Sequence, residues 1–200
     1  MIAAWRSREE TEQLERLRLD LQELRLTWKV EARKINDAEV ELLVGRLPQP
    51  QRGGAWDLVN IADVGFGVSQ TLPVVVALLV AGPGQLVYLE QPEIHLHPRA
   101  QVAFANLLKR AVDRGVRVVV ETHSSLLIRA LQTLVARQEL YTDDLILHWF
   151  SRDPRTGDTK IDTAELDHTG AFGDWPEDFV EVQLETEARY LDAAAEAARR

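Results

Sequence analysis

Leu86 to Pro98, L-V-Y-L-E-Q-P-E-I-H-L-H-P, constrains this chain more than any other stretch. Leu86 to Leu89 form an apolar run without polar alternation, the pattern of a strand buried on both faces of a parallel sheet. The run stops at Glu90, Gln91, Pro92 and Glu93. Proline cannot donate to a sheet ladder, so Pro92 ends the strand and leaves polar groups at its carboxyl tip. A second apolar, β-branched run, Val116 to Val120, ends in Glu121, Thr122, His123 and Ser124. Between the two, Val102, Ala103, Phe104, Leu107, Leu108, Ala111 and Val112 recur at helical spacing from Arg99 to Arg114, and Gly115 follows as a C′ residue. Strand, helix and strand at this length form a βαβ unit with parallel strands and a right-handed crossover. Parallel strands put both carboxyl tips on one edge, so Glu90, Gln91 and His123 are expected to be neighbours. In open α/β sheets that edge is where ligands bind.

An apolar strand that delivers an acidic tip is how nucleoside triphosphatases hold the water shell of Mg²⁺ and orient the attacking water. Four segments sharpen this. L-V-Y-L-E-Q-P-E-I-H-L-H-P resembles the Walker B strand and D-loop of ABC-class ATPases in the form used by RecF-like, SMC-like and OLD-family proteins. E-T-H-S at 121–124 resembles their switch-histidine segment, and D-V-G-F-G-V-S-Q-T-L-P at 63–73 their degenerate signature motif. G-D-W-P-E-D-F at 173–179 resembles a small tail domain that often follows such ATPase domains. The resemblance implies a P-loop NTPase-like α/β fold of the ABC ATPase class: a partial parallel sheet flanked by helices, with an N-terminal helix plus β-hairpin and a small C-terminal α+β tail. It divides the chain into an ATPase segment, 1–150, and a tail, 151–200.

The same resemblance assigns roles. Glu90 takes the position that holds Mg²⁺ through water. Gln91 takes that of the catalytic glutamate, where an amide can hydrogen-bond a water but cannot accept its proton. Glu93, two residues on, is the substitute carboxylate, and His123 is the switch histidine. Gly65, Gly67, Ser69 and Gln70, together with His95 and His97, are the nucleotide-contacting positions. In ABC-class dimers the signature element meets the γ-phosphate bound by the opposite subunit, which implies a homo- or heterodimer of ATPase heads. The usual signature places serine before its glycines, whereas Gly65 stands there in this chain.

A phosphate-binding loop of the form G-x-x-x-x-G-K needs its lysine to neutralise phosphate. The lysines here are Lys29, Lys34, Lys109 and Lys160, and none follows a glycine. The reading is therefore the carboxyl half of an ATPase, with the Walker A half missing, that binds ATP and Mg²⁺ only with a P-loop-bearing partner segment. Such a module acts as an ATP-dependent switch in DNA-related or phage-defence processes and is inactive as an isolated chain. A nucleotide-independent scaffold is the alternative. A metal-dependent hydrolase built on His95, His97 and His123 with Glu90 or Glu121 is a third reading, since His-x-His is a metal-ligand spacing.

The rest of the chain frames this centre. On glycine physics alone, the helix expected to begin near Ser69, with Pro73 in its first turn, is a phosphate site or simply a turn before a buried helix. Ser7 to Leu26 reads as a helix with a Ser7–Glu10 capping box and Leu14, Leu17, Leu21 and Leu24 on one face. Its arginines alternate with glutamates, the pattern of a solvated, ion-paired face. From Thr27 to Val44 the period becomes two, with a turn at Asn36-Asp37, which predicts a hairpin. Leu58 to Ile61 reads as a short strand, Leu126 to Gln138 as a helix, and Leu145 to Phe150 with Thr159 to Ala164 as a strand and its hairpin partner.

At 200 residues and 46% hydrophobic content the chain needs no more than one core. The longest apolar run, Leu72 to Ala81, is far short of the ~18 residues of a membrane span. The absence of cysteine excludes a disulfide framework and thiolate metal sites and fits the cytoplasm. A net charge of −9 argues against the whole chain gripping nucleic acid, though not against a local basic patch.

Overall fold

The structure is a computed structural model that describes residues 8–47, 56–173 and 178–197. The chain divides into two compact units, Met1–Leu127 and Ile128–Arg200. The strand expected at Leu145–Phe150 belongs to a two-stranded hairpin.

In the first unit, helix α1 (Arg8–Glu23) buries Leu17 and Leu21, and Leu24 just past its end is buried with them. Ser7, the expected cap, lies outside the described residues. The helix ends in a Schellman arrangement, with Leu26 N–H on the Leu21 carbonyl at 2.9 Å and Arg25 N–H on Gln22 at 2.9 Å. Arg25 takes the left-handed conformation, φ 56°, that this motif requires. The expectation of a solvated charged face holds for the Arg18–Glu15 pair but fails at Asp20. Asp20 is only 6% exposed and takes Arg110 at 2.8 Å and Arg16 at 3.1 Å. An ionised carboxylate is tolerated there because the cations are within hydrogen-bonding reach, so charge rather than apolar contact alone links α1 to the later helix carrying Arg110.

The hairpin is β1 (Val30–Lys34) and β2 (Val40–Gly45), antiparallel with Val30 opposite Val44 and Lys34 opposite Val40. Asn36 shapes its turn by accepting Ala38 N–H at 2.9 Å. Strand β3 (Leu58–Asn60) pairs with β2. Asp57 fixes this sheet by accepting from Trp28 Nε1 at 2.9 Å and from Leu47 N–H at 3.1 Å.

Helix α2 runs Phe66–Val80 with Gly65 as its N-cap, so it starts three residues before the expected Ser69. Pro73 is consequently its eighth residue and not part of its first turn. A proline there deprives the Ser69 carbonyl of its helical donor, and the helix is held instead by burial of Leu72, Val75 and Leu78.

The βαβ unit is β4 (Leu86–Glu90), α3 (Pro98–Asp113) and β5 (Arg117–Glu121). The strands are parallel, with Leu86 opposite Arg117 and Glu90 opposite Glu121. Gly115, φ 78°, closes α3 with Val116 N–H on Ala111 at 3.1 Å. Phe104, Leu107, Leu108 and Ala111 bury the inner face of α3, whereas Val102 faces outward at 47% exposure. The expectation of burial on both faces of β4 is overturned. Leu86 is 65% exposed, Tyr88 57% and Val119 48%, while Leu89 is buried. Among the described residues this sheet has only two strands, so one side has a helix on it and the alternate side chains stand bare.

Helix α4 (Ser125–Ala136) crosses the division between units. The second unit continues with the hairpin β6 (Ile146–Arg152) and β7 (Thr159–Glu165), antiparallel, then α5 (Asp178–Ala197). Lys160 pairs with Asp153 at 2.9 Å across the turn. Much of the G-D-W-P-E-D-F segment lies outside the described residues. No helix among the described residues is long and apolar enough to cross a membrane.

Candidate functional site

The parallel register places Glu90 and Glu121 side by side at the carboxyl ends of β4 and β5. Strand alternation puts both on the face that carries Tyr88, and the Tyr88 hydroxyl donates to Glu121 Oε2 at 3.0 Å. That hydrogen bond, with the charges of Glu121 and Glu90 beside it, pushes the Tyr88 phenol above its usual range and keeps it a donor. One residue beyond the strand, Gln91 N–H reaches the Glu121 carbonyl at 2.8 Å. Gln91 adopts φ 42°, a left-handed conformation that non-glycine residues rarely hold.

The chain then folds back under the tip, with Ile94 N–H on Gln91 at 3.2 Å and Leu96 N–H on Glu93 at 2.8 Å. Pro92 and Glu93 are buried in this turn. Glu93 Oε1 accepts from Thr122 Oγ1 at 2.7 Å and from the backbone N–H of His123 at 3.0 Å. Glu93 Oε2 is buried with no hydrogen-bond partner. Gln101 adds a second strut: its Nε2 donates to the Leu96 carbonyl at 3.0 Å, and its Oε1 accepts from Ser124 Oγ at 2.7 Å. Ser124 Oγ in turn accepts Leu127 N–H at 3.0 Å and so caps α4. His123 has a fixed backbone and a solvent-exposed side chain.

The expected nucleotide-contacting residues fall into separate local roles. Gly65 and the exposed Phe66 start α2, and the Phe66 ring stacks on His95 with centroids 5.4 Å apart. A Cβ on Gly67 would lie 3.2 Å from the His95 carbonyl oxygen, so glycine lets α2 approach the turn after β4. Ser69 Oγ points back to the Phe66 carbonyl at 3.4 Å, and Gln70 is exposed. His97 caps α3, its Nδ1 accepting Arg99 N–H at 3.3 Å, with Pro98 in the first turn. His95 and His97 are thus a stacked ring and a helix cap. Among the described residues no group of three or more His, Asp or Glu is placed together as metal ligands would be.

Sequence reasoning missed Tyr88 and Gln101 at this edge; it placed Glu121 and Thr122 at the tip of the second strand, with Glu121 also as an alternative metal ligand. Glu121 and Tyr88 are within reach of strand arithmetic, since a parallel register pairs Glu90 with Glu121 and alternation adds Tyr88. The bonds of Glu93 to Thr122 and of Gln101 to Ser124 depend on the turn after Pro92, which no periodicity encodes.

Residues 53–129 match the family described as AAA domain, putative AbiEii toxin, Type IV TA system. A solved structure from work on the structural biochemistry of ATP-driven dimerization and DNA-stimulated activation of SMC ATPases shares the fold. Its TM-score is 0.55 at 13% identity, covering 90% of this chain and 94% of that one. No curated protein matches the chain. The fold is thus of the P-loop NTPase kind. Sequence and structure together are similar to the ABC/AAA class of ATPases, in the segment that carries the acidic strand tip.

Proposed function

We propose that this chain is an ATPase-class module that works as an ATP-dependent switch once a P-loop-bearing segment supplies the phosphate cradle. The observation that carries the reading is the shared carboxyl edge: Glu90 in register with Glu121, Gln91 bonded to the β5 carbonyl, and the exposed His123 two residues further on. Oxygen donors of this kind suit a hydrated Mg²⁺, which keeps most of its waters and takes one or two carboxylates through them. When bound, the nucleotide and its ion supply the transferable phosphoryl group and the charge neutralisation it needs.

The roles of the chain's own residues follow from the edge. Glu90 holds the ion's water shell, and Glu121, kept in place by Tyr88, adds a second charge beside it. Gln91 orients a water by hydrogen bonding without taking its proton, and His123 donates towards the γ-phosphate. Gly65 to Ser69, at the start of α2, closes over the nucleotide of a second copy or of a related head. The description of the matched family as a toxin of a type IV system supports a defence setting. The DNA stimulation reported for the similar SMC ATPases supports a DNA-related one.

The experiment is to combine the purified chain with a P-loop-bearing segment, fused or separate, and to compare wild type with His123→Ala. Loss of a transition-state hydrogen bond of this kind costs ~2.7–4 kcal/mol, about 10² to 10³ in rate. His123→Ala is therefore expected to lower turnover by that factor with ATP affinity little changed. Partner binding that ignores ATP, Mg²⁺ and this substitution would identify a scaffold instead.

A further inference from the structure

Glu93 is the buried ionisable side chain at the candidate site that no strand-tip role explains. It is 6% exposed, and its carboxylate faces the β5 loop rather than the open tip. Motif alignment alone would make it a substitute base for an attacking water. The geometry points elsewhere. We infer that Glu93 is a positioning residue, which sets the backbone of His123 by hydrogen-bond acceptance and takes no proton from water.

Three observations support this. Two donors of the loop after β5, Thr122 Oγ1 at 2.7 Å and His123 N–H at 3.0 Å, converge on the same oxygen, Oε1. The other oxygen, Oε2, is buried without a partner, so neither oxygen is presented to a solvent water at the tip. A buried carboxylate with an orphaned oxygen is costly to retain, so its presence is poorly explained by stability alone. Finally, Glu93 lies in the turn that also carries Gln91. Gln91 N–H on Glu121 at 2.8 Å and Gln101 bridging Leu96 to Ser124 join the same two loops. Glu93 thus makes the loop after β4 and the loop after β5 one body, and the exposed His123 ring is aimed by a bond to its own backbone.

The inference rests on the ATP-switch reading for what His123 is aimed at, but the latch itself is measurable without nucleotide. The discriminating variant is Glu93→Gln. It keeps an acceptor oxygen for Thr122 and His123 and removes any capacity to act as a base, whereas Glu93→Ala removes both. On the full ¹⁵N-labelled chain, Glu93→Ala is expected to speed His123 amide exchange by about 10- to 100-fold. Amides within β4 and β5 should be unaffected, and Glu93→Gln should restore protection to near wild type. Glu93→Gln should also shift the His123 amide proton resonance, because an amide oxygen replaces a carboxylate as its acceptor. This second readout holds even where Glu93→Ala fails to fold.

With the P-loop segment added, Glu93→Gln should keep most of the turnover, and Glu93→Ala should lower kcat with KM for ATP little changed. Glu93→Gln as damaging as Glu93→Ala would overturn the positioning role and restore the base. A His123 amide resonance unmoved in Glu93→Gln, or unchanged exchange in a folded Glu93→Ala, would overturn it too. A wild-type complex that never hydrolyses ATP would refute the switch reading, while the amide measurements would still decide the latch.

Discussion

Replacing Gln91 with glycine tests whether the tip of β4 holds strain. Gln91 sits at φ 42° between the last ladder residue and Pro92. For an L-residue the left-handed conformation costs roughly 1–2 kcal/mol, because Cβ crowds the following carbonyl. Glycine removes that crowding but adds freedom to the unfolded chain, a cost of roughly 0.5–1 kcal/mol. The bond from residue 91 N–H to the Glu121 carbonyl survives either way, since it is made by backbone. The fair reference is Gln91→Ala, which loses the amide side chain yet keeps Cβ and its strain. Gln91→Gly is therefore expected to be more stable than Gln91→Ala by about 0.5–1 kcal/mol. The assay is native-state hydrogen exchange of the slowest β4 and β5 amides, which report opening of the first unit. They should exchange about two- to fivefold more slowly in the glycine variant. A glycine variant that exchanges faster than the alanine variant would refute the claim that strain is stored there. The claim matters because strained residues persist where surrounding structure over-determines them, and the turn after β4 is held by hydrogen bonds at both ends.

Two further outcomes follow from the packing. Phe104 is fully buried on α3, so Phe104→Ala should cost about 3–5 kcal/mol. By calorimetry it should lower the thermal transition of the 200-residue chain by roughly 6–20 °C. Asp20 titrates above the usual carboxylate range, because burial outweighs the opposing charges of Arg110 and Arg16, with Glu23 adding repulsion. The folded state then binds a proton more tightly than the unfolded state, so its contribution is full below the unfolded pKa and declines as pH rises through the folded one. The stability difference between wild type and Asp20→Asn, from urea unfolding at each pH, should shift against wild type as pH rises through and above the ordinary aspartate value of about 3.9. A flat or rising difference would contradict that.

The sequence carried the βαβ unit and its common edge because chain connectivity alone forces them: a helix of that length between two apolar runs leaves parallel pairing as the solution. The Asn36-Asp37 hairpin and the Gly115 cap were legible for the same reason, since each depends on residues a few positions apart. What was not legible depended on who covers what. The run Leu86–Leu89 is apolar at every position, and nothing local says that Leu86 and Tyr88 stand bare while Leu89 is buried. Asp20 looked like one more charge on a mixed face, since its partner Arg110 is 90 residues away. Helix α2 starts earlier than the first-turn preference of Pro73 implies, because burial of Leu72 and Val75 overrides that preference. At the site, Glu90, Gln91 and His123 were recoverable from strand ends. The inward turn of Glu93 was not, because it follows from the left-handed Gln91, which no residue type announces.

The β4–β5 edge is proposed to be one part of a nucleotide site, with the phosphate cradle supplied by another segment. Steady-state ATP hydrolysis measures it most directly, with the 200-residue chain alone and then mixed with a P-loop-bearing segment. No measurable turnover is expected of the chain alone, and turnover is expected in the mixture that Glu90→Gln abolishes. Robust hydrolysis by the isolated chain, lost on Glu90→Gln, would contradict it and would demand a phosphate-binding loop within these residues.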